Sequence, residues 1–186
     1  VLTSFASGAA RITDKGLLVE GAATNLALQS QTFDNAYWPK TRSSITADAV
    51  IAPDGTITAD KFVEDSSTNT HLIARGITVT NGATYTQSVY AKAAERTWIE
   101  LTEANTVTAT AFYNLAAGTV GTVSGSGSPS ATITALANGW YRCTLTWTAA
   151  GTTCNHQIRL ATGDGVESYA GDGASGVYLW GAQLET

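Results

Sequence analysis

The segment SGVYLWGAQLE, residues 175–185, decides the fold. As an extended strand it places Val177 and Leu179 on one side and Tyr178 and Trp180 on the other. Both sides are apolar, so it reads as a central strand, or as one covered on both faces. Segments near a chain end fray unless something ties them down. One this rich in aromatic residues is expected to be pinned inside a sheet.

The rest of the chain has the same strand-and-turn rhythm. Turn signals recur in DNAYWP, APDGT, VTNGAT, GTVSGSGSPS, ANGW, AAGTT, TGDG and AGDGASG, with short alternating runs between them. In YTQSVYAKA, Tyr85, Val89 and Ala91 share a face, opposite Thr86, Ser88, Tyr90 and Lys92. In TWIELTE, Ile99 and Leu101 oppose Trp98, Glu100 and Thr102. Tyr141, Cys143, Leu145 and Trp147 form the apolar set of WYRCTLTW, against Arg142, Thr144 and Thr146. Ile158 and Leu160 of NHQIRLAT oppose Gln157, Arg159 and Ala161. No stretch keeps a helical period. The pattern predicts an all-β sandwich.

Composition narrows the function classes. The chain has 186 residues, enough for one full-sized core, of which 44% are apolar and 13% charged. A net charge of −5 argues against nucleic acid, whose phosphates need clustered Lys and Arg. No apolar run is long enough to span a membrane as a helix, and no basic-then-apolar signal opens the chain. It begins at Val1 and contains no Met, which reads as a piece of a longer polypeptide with further domains. Cys143 and Cys154 flank a turn at Gly151. Facing each other across a hairpin they would be in reach of a disulfide, whose distance limits are strict. Otherwise they are buried free thiols that pack as small hydrophobes, and that reading is taken.

Catalytic and metal-binding patterns are weak. The carboxylates are scattered, no G-x-S-x-G elbow is present, and His71 and His156 lack zinc-ligand spacing. The chain is therefore read as non-catalytic, with His156 a hydrogen-bonded core histidine. Asp164 and Asp172 sit among glycines in TGDGVESYAGDGASG, where oxygen ligands would suit calcium, but the spacing reads as ordinary turn chemistry. GTVSGSGSPS lacks the G-K-[ST] of a phosphate loop and reads as a floppy hairpin loop.

The faces left over after the core is assigned carry more than solvent requires. Trp98 and Tyr90, with Glu100, Arg142, Gln157 and Arg159, combine flat aromatic surface with planar polar groups. Saccharides are recognised by that combination, the rings taking C–H faces and the polar groups taking hydroxyls. Alternation places the six on one side of a sheet. Trp38 and Trp140 read as core or corner aromatics.

Two stretches carry a family resemblance. GLLVEGAATNLALQSQTFDNAYWPK with APDGTITADKF, and GWYRCTLTWTA with YAGDGASGVYLWGAQLE, resemble the opening and the end of a module found in phage tail and head-fibre proteins. That module looks like jelly-roll carbohydrate-binding modules of galactose-binding-like fold. The matching positions are Asn25, Leu26, Phe33 and Trp38 near the start, and Gly82 and Tyr85 in the middle. The resemblance spans roughly residues 16–186, leaving residues 1–15 as an extended arm that feeds a strand at Gly16–Glu20. It implies a jelly-roll β-sandwich of two antiparallel sheets, with a last strand beside early strands, so that both ends of the domain clasp. Tyr178 and Trp180 would then be structural. It also implies a polysaccharide or cell-surface glycan as partner and a virion or extracellular setting. The alternative it offers is a structural fibre domain, trimeric and without a sugar site. A structural calcium belongs to some such modules; here only Asp34 follows Phe33 as the matching acid. No other cofactor is expected.

Far-UV circular dichroism is expected to show strand with almost no helix; a helical content above about a quarter, approaching the usual third of globular chains, would overturn the sandwich.

Overall fold

The structure is a computed structural model. It describes residues 24–186 and, ahead of them, the backbone of one strand pair, Arg11–Thr13 (β1) with Gly16–Leu18 (β2). Of the strand expected at Gly16–Glu20, Gly16–Leu18 is β2, and the remainder, with most of the expected arm over residues 1–15, lies outside the described residues. The strands that follow are β3 (Lys40–Thr41), β4 (Ser43–Ile51), β5 (Ile57–Glu64), β6 (Thr68–Thr70), β7 (Leu72–Thr78) and β8 (Thr84–Ala93). Then come β9 (Trp98–Glu103), β10 (Thr110–Asn114), β11 (Thr119–Ser124) and β12 (Ser130–Ala135). The last are β13 (Trp140–Thr148), β14 (Thr153–Ala161), β15 (Ser168–Ala170) and β16 (Gly176–Glu185).

Two six-stranded antiparallel sheets pack face to face. Sheet I runs β11-β10-β9-β14-β7-β3, and sheet II runs β12-β13-β8-β16-β5-β4. A short β6/β15 pair lies apart from both. The inner faces are those that alternation assigned: Tyr85, Val89 and Ala91 of β8, Cys143, Leu145 and Trp147 of β13, Ile99 and Leu101 of β9, and Ile158 and Leu160 of β14 are all buried in one core. Trp38 is fully buried in this core, and Trp140 is fully buried in a second cluster with Ala52, Ala59 and Trp180. Among the described residues no helix is long and apolar enough to cross a membrane.

β16 is central. It pairs with β5 through Gly176–Leu179 and with β8 through Val177–Glu185. A bulge falls between Trp180 and Gln183, where Gly181 adopts φ of 62°. A Cβ there would also lie 3.0 Å from the Tyr90 ring, so glycine is needed twice over. At the bulge the start of the domain locks on. Asn25 donates from Nδ2 to the Ala182 carbonyl (3.1 Å), and its Oδ1 accepts from the Leu184 N–H (3.0 Å). The Leu26 N–H donates to the Leu184 carbonyl (2.8 Å). The expected clasp between the two ends is thus a set of named hydrogen bonds.

Several expectations are corrected. Cys143 and Cys154 are buried free thiols, but they do not flank a hairpin: β13 lies in sheet II and β14 in sheet I, so the chain crosses between sheets at the turn. GTVSGSGSPS is likewise a crossing from β11 to β12 rather than a floppy hairpin loop. It is fastened by Ser126 N–H to the Val107 carbonyl and by Thr148 N–H to the Gly127 carbonyl (both 2.8 Å). His156 is fully buried, yet neither ring nitrogen has a hydrogen-bond partner among the described residues. Burial drives its pKa down to about 4, so it is neutral and packs against Trp38 at 5.6 Å between ring centroids.

One end of the sandwich is held by a buried carboxylate. Glu64 of β5 accepts from Arg96 Nε (2.8 Å), from the Tyr169 hydroxyl (2.7 Å) and from the Asp172 N–H (2.9 Å). Burial pushes its carboxyl up, but the bonds from Arg96, Tyr169 and Asp172 together outweigh this and hold it below the ordinary range. Asp172 in turn caps the Ala174 and Ser175 N–H groups (2.8 and 2.7 Å). The glycine-rich segment before β16 is therefore shaped by turn chemistry and fixed to β5. Arg96→Leu is expected to cost about 3–5 kcal/mol in urea denaturation, because it strands a buried charge. A loss below about 1 kcal/mol would show that Tyr169 and Asp172 suffice.

Candidate functional site: the outer face of sheet I

The side of sheet I turned away from the core carries polar side chains that are nonetheless buried. The register builds it in rows across the strands. Phe112, Glu100, Arg159 and Leu72 form one row across β10, β9, β14 and β7. Thr110, Thr102, Gln157 and Ala74 form the next, while Asn114, Trp98 and Ala161 form the row on the other side of Glu100. Glu100 is only 2% exposed and Gln157 7%, and Thr102 and Phe112 are buried with them.

These groups hold one another in place. Arg159 donates from Nε to Gln157 Oε1 at 2.8 Å, which fixes both planar groups. Its Nη1 reaches the two Glu100 oxygens at 3.3 and 3.4 Å, a loose pairing. Thr102 and Thr110 share a hydroxyl hydrogen bond of 2.8 Å. The carbonyl end of Gln157 is fixed by the bond from Arg159. Burial raises the Glu100 carboxyl to about 7, and nearby Glu167 adds to this, while Arg159 offsets only part of it.

Trp98 is half-buried at the edge of this patch. Its flank is occupied by β11 and the Thr162–Val166 turn. The turn is tied down where Asp164 Oδ1 accepts from the Thr122 N–H (2.7 Å) and Oδ2 from the Thr122 hydroxyl (3.0 Å). A Cβ on Gly121 would meet Asp164 Oδ1 at 2.5 Å and Trp98 Cζ3 at 3.0 Å, so a glycine is what lets the turn and the ring approach. A loop thus borders the Trp98 ring without enclosing it.

The six residues expected on one side of a sheet are divided between opposite exteriors. Trp98, Glu100, Gln157 and Arg159 are together on sheet I. Tyr90 and Arg142 are paired neighbours on the outer face of sheet II. Alternation reports which side of its own strand a residue occupies, but not which sheet the strand joins. Arg142 donates to Ser88 Oγ (3.3 Å) and Gln183 Oε1 (3.4 Å). Tyr90 packs edge-on to Trp180 at 5.3 Å, in an aromatic cluster with Trp140 and Tyr178. That cluster lies against Val50, Ala52 and Ala59 of the β4–β5 hairpin. Trp140 donates to the Ile51 carbonyl (3.2 Å) and Trp180 to Thr58 Oγ1 (3.1 Å), so the outer aromatics of β13 and β16 are structural. Phe112, Thr102 and Thr110 were not singled out as site residues. Alternation in TAFYN, with Ala111 and Tyr113 facing the core, is the signal that turns Phe112 outward.

Of the three aspartates considered for calcium, the carboxylates of Asp164 and Asp172 are engaged separately, and at Asp34 the engaged group is the backbone carbonyl. The Asp34 carbonyl accepts from Lys40 (2.7 Å), Asp164 binds Thr122, and Asp172 caps Ala174 and Ser175. Among the described residues no three His, Cys, Asp or Glu side chains gather as a metal would need. Comparison with protein-family models and with curated proteins finds no match to this chain.

The Glu100 carboxyl gives a signed pH dependence. Its pKa rises from 4.5 to about 7 on folding, so the folded state binds this proton more tightly and stability falls as pH rises across that interval. The ionised form costs folding on the order of 3 kcal/mol. Glu100→Gln is expected to stabilise the domain in mildly alkaline buffer and to change little in acid, as read by thermal melts across the interval. An equal gain at both ends would mean the carboxyl does not titrate with folding.

Proposed function

We propose that this chain is a non-catalytic carbohydrate-binding module with the wiring of a jelly roll, and that the outer face of sheet I holds the glycan. The observation that carries this reading is the Gln157–Arg159–Glu100 group. Planar donors and acceptors are held together on an outward sheet face beside a half-exposed Trp, with Glu100 and Gln157 buried and Arg159 partly exposed. Hydroxyl recognition needs fixed planar partners, and Trp98 offers a flat apolar surface for a sugar ring. The sequence resemblance supports the same reading and extends it to a phage fibre or a multimodular protein, acting on a virion or outside the cell.

A second reading, a fibre domain that makes oligomer contacts, is favoured by a different observation. Ile51 and Ile57, paired across the tip of the β4–β5 hairpin, are 58% and 62% exposed. Apolar side chains held out together mark an interaction surface more often than chance.

Affinity electrophoresis in polysaccharide gels, combined with sedimentation, separates the two. Under the first reading the parent is retarded, and Trp98→Ala weakens binding by about 2 kcal/mol, near thirtyfold. Its melting temperature should fall by only a few degrees, as for a loss of about 1 kcal/mol. Full retention of affinity in Trp98→Ala would remove the carbohydrate site from this face. A trimer that dissociates on Ile51→Ser and Ile57→Ser, silent on every polysaccharide, would establish the second reading.

A further inference from the structure

We propose that two copies of this chain pair edge to edge through β12, as an antiparallel dimer in which sheet II of one copy continues into sheet II of the other. The two sheets end in four edge strands, β11 and β3 of sheet I and β12 and β4 of sheet II. An edge strand offers a row of unpaired N–H and C=O groups, a template for another strand unless something guards it. Three of the four are guarded. β3 is only two residues long. β4 loses register against β5 between Thr46 and Val50 and again before Ile51, and it carries the charged Asp48 at φ of 51°. β11 is irregular against β10, and its Thr122 N–H is taken by the Asp164 carboxylate.

β12 has none of these devices. It stays in register with β13 from Ser130, opposite Thr146, to Ala135, opposite Tyr141, without a shift. Ser130, Thr132, Thr134 and Ala135 are exposed. Among the described residues, no loop or side chain bonds the β12 backbone on the side away from β13. Pro129 precedes the ladder and does not interrupt it. The strand also lies inside a charge-free stretch, since residues 104–141 contain no Asp, Glu, Lys or Arg.

Charge and pattern select a second copy as the occupant. Each chain carries −5, so copies repel unless they meet through surface free of charge. β12 is such a surface, and it complements itself. Its Ala131, Ile133 and Ala135 face the core side of sheet II, opposite Leu145, Cys143 and Tyr141, while Ser130, Thr132 and Thr134 face outward. Residues opposite each other in an antiparallel pair share a face. A twofold axis through Thr132 or through Ile133 therefore sets apolar against apolar on the core side and hydroxyl against hydroxyl outside. A contact of this kind uses the same patch on both copies and closes at two. The axis stands normal to the sheet, so both sheet I exteriors point the same way. The pairing does not rest on the carbohydrate reading; under that reading it makes the module bivalent toward one surface.

The test joins sedimentation equilibrium to amide hydrogen exchange on the full chain. One short ladder is a small interface, so monomer and dimer are expected to interconvert at concentrations between about 1 and 100 μM. At the high end, amides within Ala131–Ala135 should exchange more slowly than at the low end, while those of β4 should not change. This read-out uses the parent alone and stands whatever a variant does to folding. Thr132→Lys brings ammonium groups from the two copies close together and should weaken the dimer at least about tenfold. Ser44→Lys makes the same charge change at an exposed position of guarded β4 and should leave the dimer unaltered. Both substitutions make the net charge less negative, which by itself would favour association, so a loss in Thr132→Lys alone places the contact at β12. A chain that is monomeric throughout, or trimeric, overturns the inference. So does a dimer whose β12 amides exchange equally fast at both concentrations, one that Thr132→Lys leaves intact, or one that Ser44→Lys weakens as much.

Discussion

The backbone ladder of β16 is the constraint on which the rest depends. β16 is paired with β5 on one side and β8 on the other and carries apolar residues on both faces, so both faces must be covered. Its inner residues, Val177, Leu179, Ala182 and Leu184, enter the common core. Its outer residues, Tyr178 and Trp180, need a separate roof, and the curled β4–β5 hairpin supplies it with Val50, Ala52 and Ala59. The bulge at Gly181 offers the backbone groups that the Asn25 segment captures. Central strand, roofed aromatics and clasp are consequences of one placement.

That placement also differentiates the two exteriors. Much of the outer surface of sheet II around β16 is spent on stabilising its own aromatics. Elsewhere it is lined by threonine pairs that satisfy one another, such as Thr86 with Thr146 and Thr132 with Thr144. Among the described residues no comparable apolar cluster lies over β9 and β14. The outer residues of sheet I mix crowded, partly paired polar groups with apolar ones such as Phe112, Leu72 and Trp98.

Two of the buried glutamates, Glu64 and Glu100, show the difference in chemical terms. Glu64 receives a guanidinium, a phenol and a backbone N–H, and its carboxyl is held below the ordinary range. Glu100, similarly buried, has one distant guanidinium and a carboxyl raised to about 7. A saturated site has little left to offer a ligand, and its role is to fasten the segment before β16. An under-satisfied polar group costs stability and is retained more readily where it has another use. The contrast locates the functional candidate on the face that the fold leaves least complete.

Much of this architecture is legible in the residues themselves. Period-two alternation fixed the core side of β8, β9, β13 and β14, because a side chain's side of its own strand is a local property of an extended backbone. Apolar residues on both faces of residues 175–185 marked the central strand for the same reason. Local pattern could not say which strands share a sheet. That choice is made by non-local hydrogen bonding, and it sent Tyr90 and Arg142 to the opposite exterior from Trp98, Glu100, Gln157 and Arg159. It also turned two apparent hairpins, at Gly151 and at GTVSGSGSPS, into crossings between sheets. The degree of burial of Glu100, and the commitment of Arg159 to Gln157 and Glu100, follow from neighbours up to tens of residues away in sequence. Sequence alone determined the strands and their faces, since these depend on adjacent residues. Tertiary structure decided the partners, the desolvation and hence the charge of the site, since these depend on which faces the folded chain brings together.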